Sequence, residues 1–492
     1  MGKNLSDVVG NLCLEAPVRD YIWWKDEWWS RKRFYDITSS VEKILTESGF
    51  SSGQRIVTLL PNCPLLLALS VACWHLGGAI VPLNMLAGPQ SLKRSIKHAE
   101  PFVIVVPDSI PLDMETLQKT QIPVIPANID GQMPSFKGVC QTPSNDDVAV
   151  LFYTSGTTGL PKAVPLSHEN IYSNVEAAAL HFSAFEADEC VLLNALPNFH
   201  TLGYSTSGLL PLLKGARQAI VPSFMPPDRT LKAISAAKVN FIVAVPAMIA
   251  LLVAAAVRTN GNVPKHVSTI VSGGDRFPVA LDARVKEYFG VNVMEGYGLT
   301  ECSPVVAVNP DVTRRKIGTV GTLLPGFEYE LRDENNNVIS EGKEGILWLK
   351  GNSVVREYFR DPENTSQKFH EGWFNTGDLV RIDDEGYITI IDRVSDIIIV
   401  GGFNVYPQEV EEILNNYPGI KESAVVGIPH SISGQIVKAF IIRDDPAVTT
   451  KELMAYCRKQ LAHYKVPRLY EFVEDFPRNS LGKVLRRKLR EG

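Results

Sequence analysis

Segments of helical periodicity alternate with short apolar, β-prone runs along most of this chain, and that alternation confines it to a layered α/β architecture. Thr38 to Ser48 has the spacing of an amphipathic helix, and Arg55 to Leu60 reads as a strand. Pro64 to Leu76 reads as a helix and Ala79 to Pro82 as a further strand. The rhythm returns at Leu231 to Ala244 and at Ala280 to Met294. A chain of 492 residues exceeds one ordinary core, so more than one domain is expected. From Lys316 to Lys350 the texture changes to strands and turns, which marks a small β-rich subdomain. It changes again near Asp392. A buried strand at Ile397 to Val400 leads through Gly401-Gly402 to a helix around Glu409 to Asn415. Apolar runs at Ser423 to Ile428 and Val437 to Ile442, a helix at Lys451 to Leu461 and a basic end at Arg486 to Arg490 complete a compact α+β unit. The expected organisation is a large N-terminal α/β domain over residues 1–392 and a small α+β C-terminal domain over 393–492.

Two stretches, Pro64 to Leu86 and Phe241 to Val257, are apolar enough to suggest membrane spans. Each is interrupted, by His75, Gly77-Gly78 and Pro82 in the first and by Pro246 in the second, so a strand and a helix inside a large core explain both. The aromatic run Ile22-Trp-Trp-Lys-Asp-Glu-Trp-Trp29 reads as a hairpin turning at Lys25-Asp26-Glu27, with an interfacial membrane anchor as the alternative. Met1-Gly-Lys-Asn-Leu-Ser6 matches the N-myristoylation pattern, a match too short to assign lipidation. A formal net charge of −5 lacks the basic footprint of a nucleic-acid binder. Seven scattered cysteines without a Cys-x-x-Cys pair fit reduced thiols. With no apolar signal-peptide segment at the N-terminus, a cytoplasmic enzyme without a transmembrane span is expected, peripheral membrane contact being left open.

The most chemically specific stretch is Tyr153-Thr-Ser-Gly-Thr-Thr-Gly-Leu-Pro-Lys162. It follows the β-prone Val148 to Tyr153, so a loop rich in hydroxyls, glycines and one lysine leaves the end of a buried strand. Exposed backbone N–H groups, hydroxyl donors and a cation suit a polyphosphate. The common nucleotide P-loop needs Gly-Lys followed directly by Ser or Thr, whereas Leu160-Pro161 separates Gly159 from Lys162 here.

Five further motifs follow in order. Pro197-Asn-Phe-His-Thr-Leu-Gly203 sets a histidine among apolar residues. Ser272-Gly273-Gly274-Asp275 is a glycine turn a flat base could approach. Glu295-Gly-Tyr-Gly-Leu-Thr-Glu301 joins an aromatic face to an acid able to hold a metal ion. Thr376-Gly377-Asp378 offers a carboxylate for a ribose diol, and Lys483 stands at the end of Pro477-Arg-Asn-Ser-Leu-Gly-Lys483. Singly, His200 also reads as a core histidine, Glu301 as a helix-end acid, Asp378 as a turn residue and Lys483 as a solvated charge.

Together, from about Tyr35 to Lys483, these motifs resemble the adenylate-forming superfamily of acyl- and aryl-CoA synthetases, nonribosomal adenylation domains and beetle luciferases. Pro197 to Gly203, Glu295 to Pro304 with Val305-Val-Ala-Val-Asn309, and Gly401-Gly-Phe-Asn-Val-Tyr-Pro407 look most like the fatty acyl-CoA and acyl-carrier-protein synthetase branch. The resemblance implies that Thr154, Ser155, Gly156, Thr157, Thr158, Gly159 and Lys162 hold the β- and γ-phosphates of ATP. It places Gly274, Asp275, Glu295, Gly296, Tyr297 and Gly298 around the adenine and Thr300 at the α-phosphate. Glu301 with Thr154 would ligate Mg²⁺, Asp378 and Arg393 would hold the ribose, and Gly401 and Gly402 would line the pantetheine route. Lys483 would bridge the substrate carboxylate and the α-phosphate, and catalysis would rest on Lys483, His200, Thr300 and Glu301. It further implies a mobile C-terminal domain pivoting at Ser395, where the family commonly has Asp or Lys.

Amino-acid-activating relatives carry an aspartate near the Phe199-His200 segment, and Asn198 to Ser205 contains no acid. An apolar acyl group is expected beside Phe199, His200, Gly203, Tyr204, Val245, Met248, Gly273 and Leu299, and a fatty acid is the first choice. Dicarboxylic, alicyclic and aryl acids stay open. The acceptor is coenzyme A or, alternatively, the pantetheine of an acyl carrier protein, and the Arg486 to Arg490 cluster could meet either. A non-catalytic acyl-nucleotide binder would be expected to lack Lys483, Glu301 or Asp378, and all three are present. A luciferase-type oxygenase needs no diagnostic residue on this scaffold.

Overall fold

The computed structural model describes residues 4–109, 114–138, 147–154, 162–182, 185, 188–259, 263–340, 342–430, 433–479 and 482–491. The chain packs as two compact units, 1–328 with 349–374, and 329–348 with 375–492. The Asp392-Arg393 boundary read from the sequence lies inside the second unit, where the strand Ile388–Arg393 gives way to a 3₁₀ turn at Val394–Asp396.

Two sheets organise the first unit. One has the order Val124–Ala127, Val103–Pro107, Arg55–Thr58, Ala79–Pro82, Val148–Thr154 and Lys162–Ser167. Its strands run parallel except for the last, which folds back antiparallel on Val148–Thr154. Arg55–Thr58, Ala79–Pro82 and Val103–Pro107 are buried along their whole length, as parallel strands covered by helices on both faces must be. The helix Pro64–His75 is apolar all round and buries every residue from Pro64 to Trp74, which accounts for the first membrane-like stretch. The second stretch resolves into the strand Phe241–Ala244 and the helix Pro246–Arg258. Among the described residues no helix is long and apolar enough to cross a membrane.

The other sheet runs Thr322–Leu323, Val305–Val308, Val293–Gly298, Thr269–Ser272, Phe241–Ala244, Val191–Asn194, Arg217–Ile220, Asp20–Trp24 and Glu27–Ser30. The tryptophan cluster forms its edge hairpin. Lys25 and Asp26 take positive φ of 50° and 67° at the turn, and Trp23, Trp24 and Trp29 are buried at 7, 1 and 1% exposure. Those three rings pack in the core, so the hairpin reading holds and they cannot serve as an interfacial anchor.

The second unit holds a five-stranded sheet of Phe403–Val405, Ile398–Val400, Gly434–Arg443, Ile420–His430 and Leu469–Phe472. Period-two alternation divides two cores. Val425, Val437, Ala439 and Ile441 face the helices Pro407–Asn415 and Thr450–Gln460, while Ala424, Val426, Phe440 and Ile442 pack with Phe476 and Leu489. The run at Ile397 is not uniformly buried as expected: Ile399 is 54% exposed, because the strand alternates. Gly401 and Gly402, at φ of 60° and 85°, make the two-residue turn of a hairpin to Phe403–Val405, a strand too short to show a period.

Candidate nucleotide and acyl site

Four motifs far apart in sequence meet because of strand order. Val293–Gly298, Thr269–Ser272, Phe241–Ala244 and Val191–Asn194 are adjacent and parallel, with Ser272 in register with both Ala244 and Glu295. Their carboxyl ends therefore face one way, within about 14 Å at ordinary strand spacing. Pro197 to Gly203, Val245, Gly273-Gly274 and Glu295 to Glu301 all emerge there, where open α/β sheets bind ligands. A Cβ on Gly274 would lie 3.3 Å from Val245 Cγ1 and 3.6 Å from Leu202 Cδ2, so the glycine turn backs onto Val245 and the Pro197 to Gly203 loop. Gly298 has no room for a side chain: its Cβ would fall 2.2 Å from the Pro304 carbonyl. Glu295 is half-buried and accepts the Gly318 N–H at 3.0 Å, with burial raising its carboxyl. Gly274 and Asp275 are exposed, and Gly296 and Tyr297 half-buried.

Of the residues expected beside the acyl group, Tyr204, Val245 and Met248 are buried, Phe199 and Leu299 half-buried. Tyr204 donates its hydroxyl to Ser70 Oγ at 2.6 Å and sets its ring edge-on to Phe152, so it is packed into the core with its polar group satisfied. The segment Leu202–Leu209, containing Gly203, is a π-helix, a rare element concentrated at functional sites. Upstream of it Asn62 clamps the loop, its Oδ1 accepting Asn198 N–H at 2.9 Å and its Nδ2 donating to Leu196 O at 2.7 Å. His200 Nδ1 accepts the Leu202 N–H at 3.2 Å, and burial pushes the imidazole down to about 4. It is thus neutral near pH 7, with its proton on Nε2.

The phosphate motif ends the strand Val148–Thr154 and begins Lys162–Ser167, with Thr154 and Lys162 facing each other as a cross-strand pair. Ser155, Gly156, Thr157, Thr158 and Gly159 lie outside the described residues. The Thr154 hydroxyl donates to Lys162 O at 3.4 Å. Lys162 Nζ stands 4.8 Å from the centroid of Tyr358, whose hydroxyl donates to Glu301 Oε1 at 2.8 Å. Beside Glu301, Thr300 shares a hydroxyl contact of 3.2 Å with Thr201. Lys162, Glu301, Thr300 and the His200 loop are thereby linked through two residues, Tyr358 and Thr201, that the sequence did not single out. Thr201 lies inside the Pro197 to Gly203 motif but had no role assigned there, and Tyr358 looks like any core aromatic until its partners are known.

In the second unit Asp378 and Arg393 are cross-strand partners joined by an ion pair at 3.0 Å, the carboxylate 2% and the guanidinium 45% exposed. Lys483 closes a turn in which its N–H donates to Asn479 Oδ1 and its carbonyl accepts Asn479 N–H, both at 2.9 Å. The basic end is largely neutralised within the unit. Arg486 binds both oxygens of Glu411, Arg487 pairs with Glu491, and Arg490 with Asp396. Three of its arginines are therefore committed, which weakens the reading of this cluster as an open phosphate- or carrier-binding patch.

Among the described residues no group of three His, Cys, Asp or Glu side chains converges as a metal cage. One carboxylate and one hydroxyl, Glu301 and Thr154, are hard oxygen donors of the kind that hold Mg²⁺ together with nucleotide phosphates.

Burial lowers the imidazoles of His98, His168, His181 and His200. The unfolded chain then binds more protons than the folded one below about pH 6.5, so these groups favour folding above that pH and lose their contribution as pH falls toward 4. Asp392, pushed up to about 6 by burial, acts in the opposite sense. Comparing wild type with His200→Gln isolates the histidine: chemical denaturation at pH 7 and pH 4.5 should show a stability difference shrinking by about 2 kcal/mol in the variant. Parallel pH dependence in both proteins would refute it.

Comparison with known proteins agrees with this geometry. Residues 13–359 match the model of the AMP-binding enzyme family, and residues 409–483 that of the AMP-binding enzyme C-terminal domain. A long-chain-fatty-acid–CoA ligase of Yersinia pestis is 31% identical over 491 residues, covering 90% of this chain and 86% of that protein. A feruloyl-CoA synthase of an Amycolatopsis species is 32% identical over 455 residues, with 91% and 90% covered. The crystal structure of ATP-bound MatB from Rhodopseudomonas palustris superposes with a TM-score of 0.90 at 30% identity, covering 100% of this chain and 99% of that one. The chain belongs to the AMP-binding enzyme family.

Proposed function

From membership of the AMP-binding enzyme family we propose that this protein is an AMP-forming acid–CoA ligase acting on a hydrophobic carboxylic acid. The observation that carries the reading is the line Lys162–Tyr358–Glu301–Thr300–Thr201–His200, which connects the phosphate motif to the acyl-side loop within one unit. In the first step a carboxylate oxygen attacks the α-phosphorus of ATP, the bond to the β-phosphate oxygen breaks, and pyrophosphate leaves. Lys483 neutralises charge as two anions approach, Thr300 orients the α-phosphate, and Lys162 with residues 154–159 holds the departing pyrophosphate. Glu301 and Thr154 would hold Mg²⁺, which screens the phosphate charge. Asp378 and Arg393 fix the ribose. In the second step the thiol sulfur of CoA attacks the acyl carbon, passes its proton to solvent, and AMP leaves with the bridging oxygen. Residues 393–492 pivot at Ser395 between the steps, and Gly401 and Gly402 line the pantetheine route.

His200, neutral near pH 7, offers an Nε2–H donor and an apolar edge toward the acyl group; it does not supply a cation. A hydrophobic acid is supported by Leu202 and Val245 against the glycine turn and by the absence of an acid between Asn198 and Ser205. Fatty and aryl substrates are named for relatives at nearly equal identity, so chain shape is left to experiment. Cys13, Cys63, Cys73, Cys190 and Cys457 are buried thiols outside any disulfide, which supports a reducing, cytoplasmic setting.

An ATP–pyrophosphate exchange screen over fatty, aryl and dicarboxylic acids tests the reading. Exchange should depend on a hydrophobic acid, and mass analysis should then find the acyl-CoA with CoA supplied and no acylated product with a carrier protein. Failure of every acid to support exchange would overturn the assignment.

A further inference from the structure

We propose that Tyr358 is a positioning residue that sets the metal-binding carboxylate and the pyrophosphate-binding lysine together, an inference that rests on the ATP-dependent reading above. Tyr358 is 3% exposed and held from both sides. Next to it Phe359 N–H donates to Ala163 O at 2.8 Å, fixing the segment against the strand that begins with Lys162. Three residues before it Val355 N–H donates to Glu301 O at 2.9 Å, and Ser303 Oγ donates to Ser353 O at 2.8 Å. One short stretch, 353–359, thus stitches the phosphate hairpin to the Glu301 turn through its backbone, and Tyr358 repeats the connection through its side chain.

The two ends of that side chain do different work. The hydroxyl donates to Glu301 Oε1, which orients the carboxylate and leaves Oε2 for a cation. The ring face lies 4.8 Å from the Lys162 ammonium, an arrangement that holds a flexible lysine in place before any phosphate arrives. A packing role alone would need the ring and would be indifferent to the hydroxyl.

The test is ATP binding by calorimetry without acid or CoA, with Mg²⁺ titrated and with EDTA. Tyr358→Phe keeps the ring, so metal-free ATP affinity should stay within twofold while the Mg²⁺ concentration at half-effect rises about tenfold. Tyr358→Leu should also weaken metal-free binding, by about threefold to tenfold. In a Glu301→Gln background Tyr358→Phe should have no further effect on the Mg²⁺ response, because the coupled partner is already disabled. An unchanged Mg²⁺ midpoint in Tyr358→Phe, or equal loss with and without metal, would overturn the proposal while leaving the ligase reading intact. Wild-type protein that binds no ATP, or binds it without regard to Mg²⁺, would overturn both.

Discussion

Replacing Lys483 by alanine is expected to lower acid-dependent ATP–pyrophosphate exchange by about 10²–10³-fold, the scale of losing one preorganised charge from a phosphoryl-transfer site. Thioester formation from supplied acyl-adenylate and CoA should stay within about fivefold of wild type. The asymmetry follows from charge. In the first step a carboxylate approaches a polyphosphate, and an ammonium lowers the energy of the two anions together. In the second the leaving group is already AMP and the attacking thiol approaches a neutral carbonyl, so the same cation contributes little. The local structure suits a residue needed in only one step. Lys483 sits on a tight turn closed by Asn479, after Gly482 at a φ of 83°, and Arg478 steadies the turn by donating to Gly482 O and pairing with Glu422. Removing the side chain beyond Cβ disturbs none of those backbone bonds, so the variant should fold. Equal loss in both half-reactions would mean that Lys483 is not the charge that distinguishes them.

Much of this site was legible because its chemistry is local. A hydroxyl- and glycine-rich loop after an apolar run, an acid four residues past an aromatic in Tyr297 to Glu301, and a lysine after a glycine each carry their meaning within one motif. Strands such as Ala79–Pro82 emerged because their boundaries are glycines and prolines. What stayed hidden depends on partners distant in sequence. Tyr358 and Thr201 acquire roles only when strand order brings Glu301 and Thr300 beside them. The π-helical register of Leu202–Leu209 differs from an α-helix by one residue per turn of hydrogen bonding, too little to show in an apolar pattern. The arginines from Arg486 to Arg490 read as a basic tail because Glu411 and Asp396 lie far upstream. The helix Leu5–Glu15, capped by Asn4 and packed on the helices after it, went unread for a related reason: its moment is modest and its buried face is defined by those neighbours.

Ser395→Pro should leave pyrophosphate exchange within about threefold of wild type and reduce thioester formation from supplied acyl-adenylate by at least about 30-fold. On one side of this residue Arg393 is held to Asp378 as a cross-strand partner and by an ion pair at 3.0 Å, while the bond from Gln408 N–H to Asp392 at 3.2 Å crosses the pivot and would have to break in the rotation. On the other, Asp396 pairs with Arg490 at 2.7 Å, and Arg490 stands beside Leu489, which is buried in the second unit's core. Val394 and Ser395 lie between these fixed points in a 3₁₀ turn, with no side-chain hydrogen bond or ion pair among the described residues. A change of direction in the chain would therefore concentrate its dihedral rotation at these two residues, and a small hydroxyl side chain at 395 does not oppose it. Proline at 395 fixes φ near −65° and biases Val394 away from helical dihedrals, so it restricts both at once. Ser395→Ala supplies the control, since it removes the hydroxyl while keeping the backbone free, and should retain both half-reactions. If Ser395→Pro turns over normally with acid, ATP and CoA, the pivot is elsewhere. If alanine loses thioester formation as proline does, the hydroxyl rather than the backbone is what the second step needs.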